Sequence, residues 1–293
     1  MHDAPGSLGH ALVRDHTVYS CVLGPRAFGL AKHSGDTDRR GVFVAPTALF
    51  WRFEKPPARV AGPLDQQVSW ELERFCALAL RGSPGLLECL YSPLVEYADA
   101  TGRELLDLRE AFLSRRVAAS FRGHAARQLG RVEADLRDSG EWRWKSAMHL
   151  LRVLISGRDL LRSGRLGVEV GEHRERLLAV KRGELGWEEV RAWIRTLHEE
   201  MDAAVVRSPL PQEPDRARVE DFLLRVRHAS ASSPPPARRP RARPARVAPR
   251  RTRSRRPSAR ARRPRRGGRR RRRRSGRRWS RSHRSCTRPA AAR

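Results

Sequence analysis

From Arg238 to Arg293 the chain holds 27 arginines, no lysine, no acidic residue, and no Leu, Ile or Phe. A segment of that kind repels itself and has little to bury, so the expectation for residues 229–293 is a disordered tail. Whatever folds must be built before the Ser/Pro stretch Ser230–Pro236. The tail also accounts for the charge. The whole 293-residue chain carries +30, but without the arginine run 35 basic residues face 32 acidic ones. The part that folds is therefore nearly neutral, which excludes a chain that is basic throughout, as a histone is. Lysine is scarce before the tail as well, with four in the first 228 residues. The tail has two readings: an arm for nucleic acid, or the product of a frameshift or read-through in a GC-rich coding sequence.

The first 228 residues are enough for one large domain or two small ones. No apolar run approaches the ~18 residues of a membrane span, so no membrane partner is expected. The stretch Met1-His2-Asp3-Ala4-Pro5 lacks a charged-then-apolar signal pattern. Cys21, Cys76, Cys89 and Cys286 form no C-x-x-C pair. That usage suits reduced thiols and a cytoplasmic location, with the first three as small core residues.

Residues 16–23 (His-Thr-Val-Tyr-Ser-Cys-Val-Leu), Gly41–Val44 and Gln67–Trp70 are rich in β-branched and aromatic types and are bounded by turn residues, so they read as strands. Arg26–Lys32 reads as a short helix. From Trp70 to Arg81 the period becomes helical, with Leu72, Phe75, Cys76, Ala79 and Leu80 on one face, and Leu86–Tyr91 follows as another short helix. Helical patterns then run over 104–116, 117–137, 144–162, 174–181, 187–206 and 215–227, with Val168–Val170 as a short strand or extended link. The expected fold class is α+β: a small mixed sheet with flanking helices, then an all-helical domain. The expected domains are residues 1–100, 101–228 and the tail 229–293.

Leu23-Gly24-Pro25-Arg26-Ala27-Phe28-Gly29-Leu30 is followed by Ser34-Gly35-Asp36-Thr37-Asp38 and by Gly41-Val42-Phe43-Val44. A strand ends on a glycine, and a D-x-D opens the next strand. Alternate residues of a strand share a face, so Asp36 and Asp38 are expected to point the same way, side by side. Two carboxylates held side by side repel unless a cation lies between them, and oxygen ligands of that kind suit Mg²⁺. A glycine turn beside them lets a phosphate approach the backbone, so phosphoryl or nucleotidyl transfer is indicated.

These residues resemble the nucleotidyltransferases of the DNA polymerase β superfamily, whose motif reads Gly-Ser-Arg-x-(Phe/Tyr)-Gly-Leu, then Ser-x-Asp-x-Asp, then a Gly-Val strand. The resemblance covers residues 8–228. It includes Trp70-Glu71-Leu72 with Phe75, Pro84-Gly85-Leu86-Leu87-Glu88, Leu90-Tyr91-Ser92-Pro93, and Lys145 with Met148-His149-Leu150 and Arg152. It implies a polymerase-β-like fold, Mg²⁺ as cofactor and a nucleoside triphosphate, ATP among them, as substrate. It also implies metal binding by Asp36 and Asp38 and phosphate contact by Gly24 and Arg26. Pro25 stands where the family has serine, and proline offers neither hydroxyl nor N–H. The third carboxylate of such sites lies on a later strand. Asp65 is the first choice for it, with Glu71 and Glu73 as alternatives.

Lys145, His149 and Arg152 share one helical face that borders Met148, Leu151 and Ile155. That stripe is either a solvated basic edge or a phosphate contact across a cleft, and the second reading is adopted. Two functions follow. One is a metal-dependent nucleotidyltransferase moving an NMP from an NTP to a hydroxyl acceptor. The other is a catalytically silent fold that binds nucleic acid or another polyanion through its tail.

Overall fold

The computed structural model describes residues 7–31, 37–140 and 142–232. Asp36 and the whole arginine tail lie outside the described residues, as do Lys32–Gly35, so the expectations placed on them are not addressed by the fold. The architecture is α+β, as the change of sequence period indicates. The described elements begin with helix α1 (Leu8–His16) and strands β1 (Thr17–Leu23), β2 (Asp38–Phe43), β3 (Arg59–Ala61) and β4 (Gln67–Glu71). Helices α2 (Leu72–Ala79) and α3 (Pro84–Leu90), strand β5 (Val95–Ala98) and helix α4 (Ala100–Asp107) follow. The remainder is helical: α5 (Val117–Ser139), α6 (Trp144–Ser163), α7 (Arg174–Arg182), α8 (Trp187–Arg207) and α9 (Arg216–Ser232).

The five strands form one sheet in the order β3-β4-β2-β1-β5. β1 and β2 are antiparallel neighbours, with Leu23 opposite Asp38 and Cys21 opposite Arg40. β2 and β4 are parallel, with Arg39 opposite Gln67 and Arg40 opposite Val68. This mixed pairing sets the C-terminal end of β1 beside the N-terminal ends of β2 and β4. Three segments that carry candidate site residues therefore meet at one end of the sheet.

One apolar core runs from the inner face of the sheet into the helices, through Tyr19, Val42, Phe75, Leu87, Phe112, Phe121, Leu151, Leu161 and Leu197. Cys21, Cys76 and Cys89 are free thiols buried in it. α6 is its axis. Of its side chains, Met148, Leu151, Leu154, Ile155 and Leu161 are buried, and it packs on α5, α7 and α8. A helix apolar nearly all round belongs in a core, and this one carries Lys145, His149 and Arg152 on the stripe that escapes full burial or is paired. At the far end of the sheet Arg227 of α9 donates to both oxygens of Glu71 at 2.8 Å, and Thr47 N donates to Ser230 Oγ at 3.1 Å. α9 thus continues through Ser230–Ser232, into the segment that the sequence marks as a Ser/Pro linker.

Some local expectations are corrected. Arg26–Lys32 forms hydrogen-bonded turns over its described part, because Gly24 and Gly29 take φ of 72° and bring the chain round before a helical ladder can start. Val168–Val170 is neither strand nor extended throughout: Glu169 is a bend and Val170 takes φ −81° and ψ −9°, in the helical region. The stretch 104–116 is α4 followed by a separate 3₁₀ turn, Arg109–Phe112. β2 begins at Asp38, so the pleat of the strand does not fix where Asp36 points.

The contact between α4 and β1 is unusually close. A Cβ at Gly102 would stand 2.1 Å from the carbonyl oxygen of Val18 and 3.3 Å from Tyr19 Cβ. Backbone cannot yield as a flexible side chain can, so Gly102→Ala is expected to cost about 2–3 kcal/mol, outweighing the alanine's helix preference of about 1 kcal/mol. Urea unfolding of the two proteins measures the difference.

Candidate functional site

At the end of the sheet where β1, β2 and β4 meet, a cavity of about 820 Å³ opens between the strands and the helices. Its volume is in the range of small-molecule sites. Gly24, Arg26, Asp38, Lys145, His149 and Arg152, all singled out from the sequence, line it. Arg40, Gln66, Glu88, His124 and Lys181 line it as well. Asp65 does not. It sits in the exposed turn before β4, while Gln66 and Val68 line the cavity. Glu71 caps α2 and is held by Arg227, and Glu73 lies in the first turn of α2, both away from the cavity lining.

Gly24 closes β1 in the left-handed conformation at φ 72°. Its missing side chain lets the backbone pass close to Asp38: a Cβ there would stand 3.2 Å from Asp38 Cβ and 3.5 Å from Oδ2, tighter than an ordinary contact. The turn that follows bonds to itself. Phe28 N donates to Gly24 O at 3.0 Å, and Leu30 N and Ala31 N both donate to Pro25 O, at 2.8 and 3.0 Å. The helical part holds the turn from outside, with Val170 N donating to Phe28 O at 3.1 Å and Arg174 Nε to Gly29 O at 2.8 Å.

The carboxylates of the lining have partners. Arg40 pairs with Asp38 Oδ1, and its Nη1 also donates to Gln66 O at 3.3 Å. Arg152 donates to Glu88 Oε1 at 2.7 Å and Oε2 at 3.3 Å, with both side chains buried. Its guanidinium also lies 3.8 Å from the Phe28 ring centroid. Arg152 therefore ties α6 to α3 and to the glycine turn. Lys145 and Lys181 differ: both are exposed to the cavity and neither has an ion-pair partner among the described residues. Arg26 donates to Thr37 Oγ1 at 3.2 Å.

The signal for Glu88 was present in the sequence, as one acid inside the apolar run Leu86-Leu87-Glu88-Cys89-Leu90. Arg40 and Gln66 follow from strand register. Lys181 has no local signature, because only the packing of α7 brings it to the cavity. His124, on α5 and hydrogen-bonded to Gln128 at 2.9 Å, carried none either.

Asp38 offers a hard oxygen donor of the kind a divalent cation takes, with its Oδ1 paired to Arg40. Among the described residues no three His, Cys, Asp or Glu side chains gather as a ligand set. Further ligands at this position have to come from Asp36 or from the bound substrate.

His149 is pushed down to about 4, first by burial and then by Arg152, Lys145 and Lys181. It is neutral in the folded protein at pH 7. Between pH 6.5 and 4 the unfolded chain protonates this imidazole and the folded one does not, so stability falls as pH is lowered through that window. The contribution is about 3 kcal/mol over the full window. His149→Gln is expected to flatten the dependence of the urea midpoint on pH between 6.5 and 4; an unchanged slope would remove the histidine from the account.

Among the described residues no helix is long and apolar enough to cross a membrane. No solved structure matches the chain. The uncharacterized protein YcgL of Bacillus subtilis (strain 168) is 27% identical over 144 residues, 47% of this chain and 54% of YcgL. The chain thus spans about half the length of this curated relative. Residues 10–225, nearly all of the span of the described residues, match the RNA repair pathway DNA polymerase beta family. The chain belongs to that family, of polymerase-β-like nucleotidyltransferases.

Proposed function

We propose that the protein is a metal-dependent nucleotidyltransferase that moves an NMP from an NTP to a hydroxyl. The observation that carries the reading is Asp38 beside the glycine turn at Gly24, both lining a cavity rich in cations. In this reading Asp36 and Asp38 hold Mg²⁺, which neutralises charge on the phosphates as it develops. The acceptor oxygen bonds to the α-phosphorus, the bond from that phosphorus to the bridging oxygen breaks, and pyrophosphate leaves with its electron pair. The hydroxyl proton passes to solvent water in the same step. Gly24 gives the phosphates access to the turn, and Arg26 and Lys145 face them with charge. His149, neutral, adds a hydrogen-bonding ring without a further cation. Arg152 is assigned a positioning part, since Glu88 and Phe28 already engage it. Asp65 is given no step, since its exposed turn lies outside the cavity lining. The family's description favours an RNA end as the acceptor.

Asp36→Asn and Asp38→Asn are each expected to reduce Mg²⁺-dependent transfer of labelled NMP by about 100-fold or more, because each removes one charged ligand from a site that has few. Thermal unfolding should be nearly unchanged. Full turnover in both variants overturns the metal assignment. Pro25→Ser restores a hydroxyl and an amide to the turn and is expected to lower the Kd for NTP; an unchanged Kd would separate the turn from the phosphates.

The tail supports a separate binding property. Its 27 arginines on 56 residues contain no base-reading motif, so we expect RNA and DNA to bind alike, with an affinity that falls steeply with salt. Truncation after Ser232 keeps the contacts of α9 with Thr47 and Glu71 and is expected to abolish that binding. Duplex affinity retained by the truncated chain would move the binding surface to the folded part.

A further inference from the structure

The glycine turn has little left to offer an anion. Pro25 has no N–H, and the amides of Phe28, Gly29, Leu30 and Ala31 are spent on carbonyls of the turn itself. In the turn from Pro25 to Ala31, Arg26 and Ala27 alone make no such bond among the described residues. Beyond the amides of Arg26 and Ala27, a polyphosphate in this cavity has side-chain charge to hold it.

Cations of the lining fall into two groups. Arg40 and Arg152 are committed, to Asp38 and to Glu88. Lys145 at the start of α6 and Lys181 at the end of α7 are exposed and have no ion-pair partner among the described residues. Both line the same cavity as the half-buried His149, whose ring both influence, so the two ammonium groups address one region. α7 is held there by the bond from Arg174 to the Gly29 carbonyl, which fixes Lys181 relative to the turn. Like charges brought together at an open cavity without counter-charge are costly until an anion arrives, and a flexible ammonium suits a phosphate as a point charge.

We propose that Lys181, together with Lys145 and Arg26, forms a polyphosphate subsite on the helical wall of the cavity, holding the outer phosphates of the nucleotide by side-chain charge in place of the backbone turn. This rests on the nucleotidyltransferase reading for its substrate, but binding at the subsite requires no turnover.

The sequence supplies a selective readout. The tail contains no lysine, so lysine acylation of the full-length chain is blind to polyphosphate bound there. The experiment follows the rate of acetylation at each lysine by peptide mass spectrometry, with and without inorganic tripolyphosphate. Lys145 and Lys181 are expected to be protected at least about 5-fold, with one common concentration dependence, while Lys55 reacts unchanged. Lys145→Gln should weaken protection of Lys181 in the same titration. If Lys181 reacts at its free rate while Lys145 is protected, or if neither is protected, the subsite is wrong. Equal protection of Lys55 would mean general screening by the tail and would also overturn it. Protection at both lysines without NMP transfer from any of the four NTPs would leave the subsite standing and remove the enzymatic reading. Transfer without protection does the reverse.

Discussion

The ion pair between Arg152 and Glu88 is the joint on which the site is assembled. Glu88 belongs to α3, which packs on the sheet, and Arg152 belongs to the central helix α6. The guanidinium lies over Phe28, inside the glycine turn that ends β1. One side chain thus fixes three segments far apart in sequence: 24–31, 84–90 and 144–163. Both partners are buried, so loss of either leaves an uncompensated charge, a cost of about 3–5 kcal/mol. Burial alone argues against such a pair as a source of stability. Its placement at the wall of the cavity argues for a part in holding the wall in one arrangement.

Around that joint the charges are arranged in order of commitment. Glu88 and Arg152 are buried and engaged with each other. Asp38 and Arg40 are partly exposed at the end of the sheet and paired. Lys145 and Lys181 are exposed and face outward into the cavity. Between them lies His149, whose neutrality at pH 7 keeps a further positive charge off a wall that already carries several. The site therefore keeps its structural charges inside and its mobile ones at the opening, where screening is strongest and exchange of ligand is easiest.

How much of this was legible in the chain depends on whether the signal is local. β1, β2 and β4 are runs of β-branched and aromatic residues, and the amphipathic helices from α2 onward repeat at 3.6 residues; both patterns come from which faces are buried. β3 and β5, three and four residues long, owe their existence to pairing with β4 and β1 and have no pattern of their own. α1 was missed because its buried residues, Gly9, Leu12 and Val13, are few and lie just before a strong strand signal. At the site, Gly24, Arg26, Asp38, Lys145, His149 and Arg152 reach one cavity because each lies on an element whose position the sequence pattern sets. Which of them are already spoken for was not legible. Arg152 reads as a free cation from its helical spacing, and only the tertiary fold shows it on Glu88. Lys181 was invisible for the converse reason, since nothing near it in the chain announces that α7 ends at the cavity.

The self-bonded turn has a thermodynamic consequence. Because its own carbonyls already hold four of its amides, and Val170 and Arg174 hold two of its carbonyls, its shape exists before any ligand enters. The described turn does not have to be ordered on association. What must be ordered are the two long lysine side chains, each at about 1.5–2 kcal/mol of rotamer freedom. The entropic cost of occupancy then sits in side chains that search on the picosecond-to-nanosecond scale rather than in backbone that closes in microseconds or more slowly. On this wall the ligand meets a turn already formed, and selectivity lies in the charge and spacing of what the lysines find.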